Sequence, residues 1–190
     1  MGKSQAEKAE SHARIVRVAA ARFREIGVDG ISVADLMKEA GLTHGGFYRH
    51  FASREEMVGE AIESALQDGT RAIDALVNTS RATLATLVDA YLSAAHRDGL
   101  ASSCAVTTLA GDAARSNERA RTAYTQQVDR YLELLVKLIG SEKQKSRRTK
   151  AITALSTLVG AVSMARAVND EALSREILKS AADELKAQLK

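Results

Sequence analysis

Apolar residues recur at helical spacing along the chain, and no alternating strand pattern competes with them. One short segment shows the spacing most clearly, with apolar positions at i, i+3, i+4 and i+7, namely Val33, Leu36, Met37 and Ala40. The sequence contains no proline, and residues that favour helices are abundant. Gly, Ser, Asn and Asp residues separate the periodic segments as turn residues. This pattern predicts an all-α chain.

The turns divide the chain into about nine helices. We expect a first helix over residues 10–26, two short helices joined at Gly41, and a long helix that starts with a Ser53–Glu56 capping box and extends towards residue 78. Five further helices are expected over residues 80–97, 106–115, 118–139, 149–168 and 171–189. The charged run 141–150 is expected to be a solvated loop.

The segment from residue 32 to residue 54 reads SVADLMKEAGLTHGGFYRHFASR and carries the most specific local signals. Ser32 can cap the first short helix. Gly41 permits the left-handed backbone conformation that ends a helix. Thr43 can cap the second helix, which is expected to begin at His44. The segment therefore predicts two short helices joined by a tight turn.

The second short helix has two chemically different sides. Phe47 and Phe51 lie one turn apart and can face the core. The outward side and the residue just beyond it contain no acidic side chain and consist of His44, Gly45, Gly46, Tyr48, Arg49, His50 and Arg54. A surface rich in hydrogen-bond donors suits phosphate oxygens and base edges. The two glycines would let the backbone approach the wall of a DNA groove.

The stretch GLTHGGFYRHFASREEM, preceded by AAARFREIGVDGIS, resembles the helix-turn-helix domain of the TetR/AcrR family of bacterial transcriptional regulators. The matching positions are Gly41, Phe47, Tyr48, His50, Phe51 and Arg54. The resemblance covers about the first third of the chain. It implies a three-helix DNA-binding domain over residues 10–55 and a helical effector-binding and dimerisation domain over residues 56–190.

The resemblance also implies individual roles in DNA binding. His44, Gly45 and Gly46 would lie against base edges, and Tyr48 would bridge base and backbone. The expected phosphate contacts are Ser32, Thr43, Arg49, His50 and Arg54. Free amides at helix starts also favour anions near the first two of these residues.

The last two predicted helices are expected to form a homodimer interface, because a helix that is apolar on two sides needs two partners. The expected interface residues are Ile152, Leu155, Leu158, Val159, Val162, Ile177, Ala181 and Leu185. A two-fold dimer would present two recognition helices to successive major grooves, roughly 34 Å apart, and would require a near-palindromic operator. The alternative is that both helices only complete the core of one monomer.

The middle of the chain is expected to hold a pocket for a small-molecule effector. Candidate lining residues near apolar helix faces are Tyr91, His96, Cys104, Tyr124 and Met164. For each of them, ordinary core packing is the alternative. Cys104 has two interpretations: a partly exposed thiol that senses electrophiles or oxidants, or a buried inert thiol.

Composition narrows the class of protein. The content of 45% hydrophobic and 27% charged residues is typical of a globular chain, and the formal charge of +3 is weak support for nucleic-acid binding. Apolar runs are too short to span a membrane and the start lacks a secretory segment, so we expect a cytoplasmic protein without a membrane partner. The single cysteine excludes a disulfide framework and a multi-cysteine zinc site, and we predict no metal and no cofactor.

The sequence therefore predicts a ligand-responsive transcriptional repressor whose partners are double-stranded operator DNA, a small-molecule effector and a second copy of the chain. The alternative is a helical enzyme or protein-interaction module in which the helix-turn-helix is only scaffolding. No phosphate loop, metal-ligand spacing or nucleophile–base pair is recognisable, so we predict that the chain is not an enzyme.

Overall fold

The computed structural model describes residues 5–77, 83–139 and 144–188. Every regular element within them is helical, which confirms the predicted all-α class. The α-helices are α1 Gln5–Ile26, α2 Val33–Glu39, α3 Arg54–Val77, α4 Leu84–Tyr91, α5 Ala94–Asp98, α6 Ala105–Thr108, α7 Ala110–Arg115, α8 Glu118–Leu138, α9 Gln144–Ala167 and α10 Glu171–Gln188. Three short 3-10 helices lie at Val28–Gly30, His44–Arg49 and Leu100–Ser102.

Two of the predicted helices are each divided in the structure. The segment expected at 80–97 forms α4 and α5, because Ser93 breaks the chain and caps α5 by accepting a hydrogen bond from the amide of His96 at 3.1 Å. The segment expected at 106–115 forms α6 and α7, which meet at Leu109. The expected helix limits at residues 80 and 189 lie outside the described residues.

The expected loop at 141–150 is wrong where it can be compared, since α9 already begins at Gln144. Residues 141–143 lie outside the described part of the chain. The remainder, QKSRRTK, is rich in Gln, Lys and Arg, which lose little side-chain freedom in a helix. A charged run without Gly or Pro can therefore extend an exposed helix.

The cap at the start of the first short helix and the turn at its end both have the predicted structure. Ser32 caps α2 by accepting a hydrogen bond from the amide of Asp35 at 3.1 Å. Gly41 has a φ of 71°, the left-handed conformation that glycine adopts most easily. The amides of Gly41 and Leu42 donate to carbonyl oxygens of the last helical turn at 3.0 and 2.8 Å. These two bonds close the helix end as a Schellman motif.

The long helix α3 is the central helix of the fold. Ser53 accepts from the amide of Glu56 at 3.1 Å, which is one half of the predicted capping box, while the Glu56 carboxylate accepts from the amide of Ala52 at 2.5 Å instead of that of Ser53. The helix passes Gly69 without interruption. It packs against α1 on one side and α8 on the other, so it connects the N-terminal part of the molecule to the rest.

Two apolar clusters form the core. The first joins α1, α2, the His44–Arg49 segment and α3, and continues into α6 and the start of α8. The second joins α4, the end of α8, α9 and α10. The first cluster contains residues on both sides of the boundary predicted at residues 55 and 56, such as Phe51 and Met57, and the division into two domains stays a prediction. Among the described residues, no helix is both long and apolar enough to cross a membrane.

Polar contacts fasten the N-terminal helices, which we call the head, to the C-terminal helices, which we call the body. We define the head as residues 5–53 and the body as the described residues from 83 onward, with α3 between them. On α3, the Glu60 carboxylate binds His12 of the head at 2.7 Å and Arg119 of the body at 3.0 Å. The Val28 amide of the head donates to Asp112 of the body at 3.3 Å. Head and body are therefore joined both through Glu60 of α3 and by a direct hydrogen bond.

Candidate functional site

Residues His44–Arg49, which we call the recognition segment, rest on an aromatic foundation. Phe47 and Phe51 are each 2% exposed and their ring centroids lie 5.3 Å apart, which confirms that both face inward. The ring of His12 from α1 packs 4.5 Å from that of Phe51. Packing against α1 therefore fixes the orientation of the segment from below.

The second short helix begins at His44 as expected, but it is a 3-10 helix and not an α-helix. Its amide bonds include i to i+3 pairs from Gly46 and from His50. Two consecutive glycines weaken an α-helix by roughly 1 kcal/mol each, which explains the short, tight element. Thr43 occupies the N-cap position, but its side chain makes no cap hydrogen bond. The expected cap at Thr43 is therefore wrong.

The outward side of the recognition segment presents polar and aromatic groups. Tyr48 is 75% exposed, with its ring packed edge-on against Phe47 at 5.3 Å. His44 and Arg49 are also exposed. No acidic residue interrupts the segment. The segment therefore offers hydrogen-bond donors and an aromatic face, and it contains no carboxylate that would offset them.

Gly45 has no structural reason within the described chain to be a glycine. It is exposed, its φ is not positive, and a Cβ built on it meets no atom within 4 Å. At Gly46, a Cβ would touch the Met37 methyl at 3.6 Å, which is ordinary contact. The bare backbone at Gly45 is therefore open to a surface that approaches from outside.

Three of the expected phosphate contacts are engaged within the chain. Arg54 donates from Nη2 to the Val28 carbonyl at 2.8 Å and to Asp29 at 3.1 Å, so it braces the loop after α1. Ser32 donates to the carboxylate of Asp35 at 2.6 Å, and this negative charge disfavours a phosphate there. His50 is half-buried, with its ring centroid 6.0 Å from that of His12.

A second candidate site is a cavity of about 270 Å³ between α3, α4, α5, α8 and α9. It brings together three of the five residues expected in an effector pocket, Tyr91, His96 and Cys104. Sequence reasoning missed most of its wall, which consists of Asp68, Gly69, Leu87, Ala90, Ser102, Ser103, Tyr131, Leu134, Leu135, Leu155 and Leu158. The apolar members resemble ordinary core positions, so no sequence signal separates them.

Two expected pocket residues lie elsewhere. Tyr124 is half-buried against the first apolar cluster, where its hydroxyl donates to the Val106 carbonyl at 2.8 Å. Met164 is 55% exposed on the outer side of α9. Both sit on helices whose other faces are apolar, and the sequence does not reveal which face encloses space.

Hydrogen bonds at one end of the cavity determine its charge. The Cys104 amide donates to His96 Nε2 at 3.2 Å, so Nδ1 carries the proton that is donated to the Tyr91 carbonyl at 2.6 Å. Burial lowers the pKa of His96, which keeps the ring neutral. Burial also raises the pKa of Tyr91 and of Tyr131, so both phenols stay protonated. This end of the cavity is polar but uncharged.

Cys104 and Ser103 are neighbours with different environments. The Cys104 thiol is half-buried and lies 3.3 Å from the Tyr131 hydroxyl, so its role as a sensor stays a prediction. Ser103 is 4% exposed, and its hydroxyl has no hydrogen-bond partner within the described part of the chain. Both residues line the cavity. Nothing in the sequence distinguishes Ser103 from an ordinary turn residue.

The cavity wall is in direct contact with a helix of the head. Asp68 of α3 lines the cavity and accepts a hydrogen bond at 2.9 Å from Arg24 of α1, which is 8% exposed. Arg71 pairs with the same carboxylate. The next residue, Gly69, also lines the cavity, and a Cβ there would lie 2.6 Å from the Tyr131 hydroxyl. A displacement of this part of the wall would therefore disturb the contact between Asp68 and Arg24 of the head.

Half of the residues expected at a dimer interface belong to the single-chain core. The buried ones, each at most 7% exposed, are Leu155, Leu158, Val162 and Leu185. Val159, Ile177 and Ala181 are half-buried, and Ile152 is 46% exposed. The predicted stripe straddled two faces of α9, and the inner face packs against α8 and α10.

Comparisons with known proteins agree with this architecture. Residues 15–61 match the model of a family described as bacterial regulatory proteins, tetR family. The HTH-type transcriptional regulator YfiR of Bacillus subtilis is 34% identical over 67 residues, 35% of this chain and 33% of that protein. The HTH-type transcriptional repressor KstR2 of Rhodococcus jostii is 37% identical over 84 residues, 43% of this chain and 41% of that protein. The matched part thus spans well under half the length of these relatives.

The fold extends the likeness beyond the matched residues. The crystal structure of a TetR-family transcriptional regulator from Cytophaga hutchinsonii superposes with a TM-score of 0.78 at 18% identity, covering 99% of this chain and 98% of that one. At this identity the superposition establishes the fold alone. Residues 15–61 therefore carry the helix-turn-helix domain of the tetR family of bacterial regulatory proteins, and the chain as a whole has the fold of a TetR-family regulator.

Proposed function

We propose that this protein represses transcription in the bacterial cytoplasm by binding double-stranded operator DNA as a homodimer, and that a small molecule in the cavity releases it. The proposal assigns the chain no catalytic activity. Gly45 is the observation that carries it. A bare, exposed backbone with no internal reason for glycine lies among His44, Tyr48 and Arg49, where a DNA groove wall would approach.

The proposed DNA contacts divide by what they offer. His44, Gly45 and Tyr48 would face base edges and sugars, while Arg49 would bind phosphate. Arg54 acts mainly through the loop that it braces, because its Nη2 already serves two acceptors. With few long side chains directed at bases, much of the sequence preference would come from DNA shape and from backbone contacts.

The proposed dimer uses the outer faces of α9 and α10. Three large apolar side chains remain more than two-fifths exposed there, Ile152, Met164 and Leu173. Gly160 lies on α9 between Ile152 and Met164, and a Cβ built on it meets nothing within 4 Å. A glycine with open space allows a partner helix to come close. A two-fold axis through this face would place two recognition segments on one side of the assembly.

The cavity would communicate with the head through Asp68. A ligand that displaces Tyr131 or the Asp68–Gly69 wall alters the carboxylate that holds Arg24 of α1. Because Arg24 is almost fully buried, its guanidinium has few alternative positions in which it could be solvated or paired. A ligand releases DNA only if it binds the DNA-incompetent arrangement more tightly, since equal affinity shifts nothing.

The test is fluorescence-anisotropy titration of the full chain with DNA fragments from upstream of its own coding region, at several salt concentrations. We expect affinity to fall steeply with salt. Tyr48→Ala should weaken binding about tenfold, and Arg49→Ala should reduce the salt slope by about one unit. Arg121→Ala, an exposed change on α8 outside the proposed dimer face, is the matched control and should leave both quantities unchanged. Absent or salt-insensitive binding to every fragment would contradict the proposal.

A further inference from the structure

His12 of α1 is the polar member of the group of rings that supports the recognition segment. Phe47 and Phe51 in this group are apolar and almost completely buried. The His12 ring centroid lies 4.5 Å from that of Phe51, with 31° between the ring planes. At its other edge, Nε2 bonds to the carboxylate of Glu60 at 2.7 Å. A carboxylate only accepts hydrogen bonds, so Nε2 carries the proton. His12 therefore combines an aromatic contact with a hydrogen bond to α3.

The carboxylate that accepts from His12 is itself held in place. Its second oxygen pairs with Nη1 of Arg119 on α8 at 3.0 Å, and Nε of Arg119 donates to Glu63 at 2.7 Å. The side chain of Glu60 is only 17% exposed, so water competes less for it than for a surface ion pair. An acceptor that a second partner fixes also restricts the ring bonded to it. The orientation of His12 is therefore set by α3 and α8.

The aromatic contacts continue from His12 to the exposed side of the recognition segment. The Phe51 ring packs 5.3 Å from that of Phe47, and Phe47 packs edge-on at 5.3 Å against Tyr48, which is 75% exposed. Aromatic pairs favour offset or edge-on arrangements, so the tilt of one ring constrains its neighbour. A contiguous series of rings therefore connects His12 to a side chain on the outer surface.

The residue type at position 12 separates two interpretations. An apolar ring in place of His12 would pack on Phe51 equally well, but it would have no bond to Glu60. We propose that His12 is a positioning residue for DNA binding, which orients the recognition segment through Phe51 and makes no DNA contact of its own. The proposal rests on the proposed function in taking this segment as the DNA-binding surface. The helix-turn-helix pattern does not identify His12, because Glu60 lies 48 positions away in the sequence.

The first test is His12→Phe, which keeps an aromatic ring and removes the bond to Glu60. Fluorescence anisotropy of the full chain, with a DNA fragment that the wild type binds, should show affinity reduced about fivefold, the usual effect of one hydrogen bond. The salt slope should not change, because no phosphate contact is lost. In a Glu60→Met background the same substitution should have no further effect. Unchanged affinity, additive losses, or a salt slope reduced by about one unit would overturn the proposal.

Glu63→Met is the matched control. It removes the other carboxylate that pairs with Arg119, but Glu63 is not bonded to His12. Its DNA affinity should equal that of the wild type. A loss as large as that of His12→Phe would overturn the proposal, because any disturbance of Arg119 would then be sufficient.

Hydrogen exchange without DNA tests the positioning separately from the repressor proposal. The amides of His50 and Phe51 donate to the Phe47 carbonyl at 2.9 and 3.1 Å, so their exchange reports how firmly the end of the recognition segment is held. Exchange should be several-fold faster in His12→Phe than in the wild type, and unchanged in Glu63→Met. Equal exchange in His12→Phe and the wild type would overturn the proposal. Because this measurement needs no DNA, the two proposals can fail independently.

Discussion

Head and body use apolar packing for different purposes. In the head, Phe23, Phe47 and Phe51 are each at most 2% exposed and fill the space under the recognition segment. In the body, a comparable set of leucines surrounds a cavity of about 270 Å³ and an unpartnered serine hydroxyl. A filled core holds a surface in one shape, whereas an incomplete core can be completed by a ligand. The difference suits a rigid DNA-binding head joined to a body that can adapt to a ligand.

The largest expected effect compares one substitution in both regions. Leu36→Ala in the head should lower the free energy of unfolding by about 4 kcal/mol, because Leu36 is enclosed on all sides. Leu155→Ala in the cavity wall should cost only about 2 kcal/mol, since Leu155 is 7% exposed and a side chain that borders a void has fewer contacts to lose. Urea denaturation of the two variants measures the difference. Equal losses would mean that the body is packed as completely as the head.

Arg24 tests the connection between the two regions. Arg24→Met keeps the apolar stem but removes the guanidinium that contacts Asp68 and the Ala65 carbonyl, and should cost about 1–2 kcal/mol. Arg71→Met removes the other partner of the same carboxylate. Because Arg71 is 67% exposed, this change should stay within about 0.5 kcal/mol. Chemical denaturation should rank the variants in this order, and the reverse order would remove Arg24 as the link.

Gly45 separates stability from DNA binding in the head. Gly45→Ala should leave the unfolding midpoint unchanged or slightly higher, because its Cβ meets open space. Its DNA affinity should fall about tenfold or more, since the added methyl holds the backbone away from the groove. Gly41→Ala is the opposite case, because a φ of 71° makes alanine strained and lowers stability by about 1 kcal/mol. Unchanged DNA affinity in Gly45→Ala would show that this backbone does not approach DNA.

The smallest effect is the pH dependence of His96. Its pKa in the folded chain lies below the ordinary value of 6.5 because burial disfavours the charged ring. As the pH falls, the His96 ring is therefore protonated in the unfolded chain before it is protonated in the folded chain. The neutral buried ring stabilises the folded chain above pH 6.5, and this contribution is lost as the pH falls through the lowered folded pKa. The melting temperature should fall less steeply below pH 6.5 for His96→Gln than for wild type. His44→Gln, an exposed control, should follow wild type.

The sequence predicted the head more fully than the body because the head depends on local signals. The Ser32 cap, the left-handed Gly41 and the inward Phe47 and Phe51 each follow from a residue and its near neighbours. Arg54 shows where this reasoning fails. Its partners, Val28 and Asp29, lie 26 and 25 positions away, and only the folded chain brings them to it.

In the body, periodicity identified apolar helices but not their neighbours. Leu155 and Leu158 were expected at a dimer interface, yet both line the cavity. Met164 was expected in the pocket and is exposed. Each depends on how α9 is rotated against α8 and α10, which many weak contacts decide together. Ser103 has no local signal at all, because an orphaned hydroxyl is a property of its surroundings.

The most direct test of the account sequences genomic DNA fragments selected by the purified full-length protein. The account predicts enrichment of one near-palindromic motif, with half-sites whose centres are separated by about one helical turn or a multiple of it, because two recognition segments read successive grooves. Tyr48→Ala should lose this enrichment. Recovery of fragments without a common motif, or of a single unrepeated half-site, would contradict a two-fold dimer that reads DNA through the recognition segment.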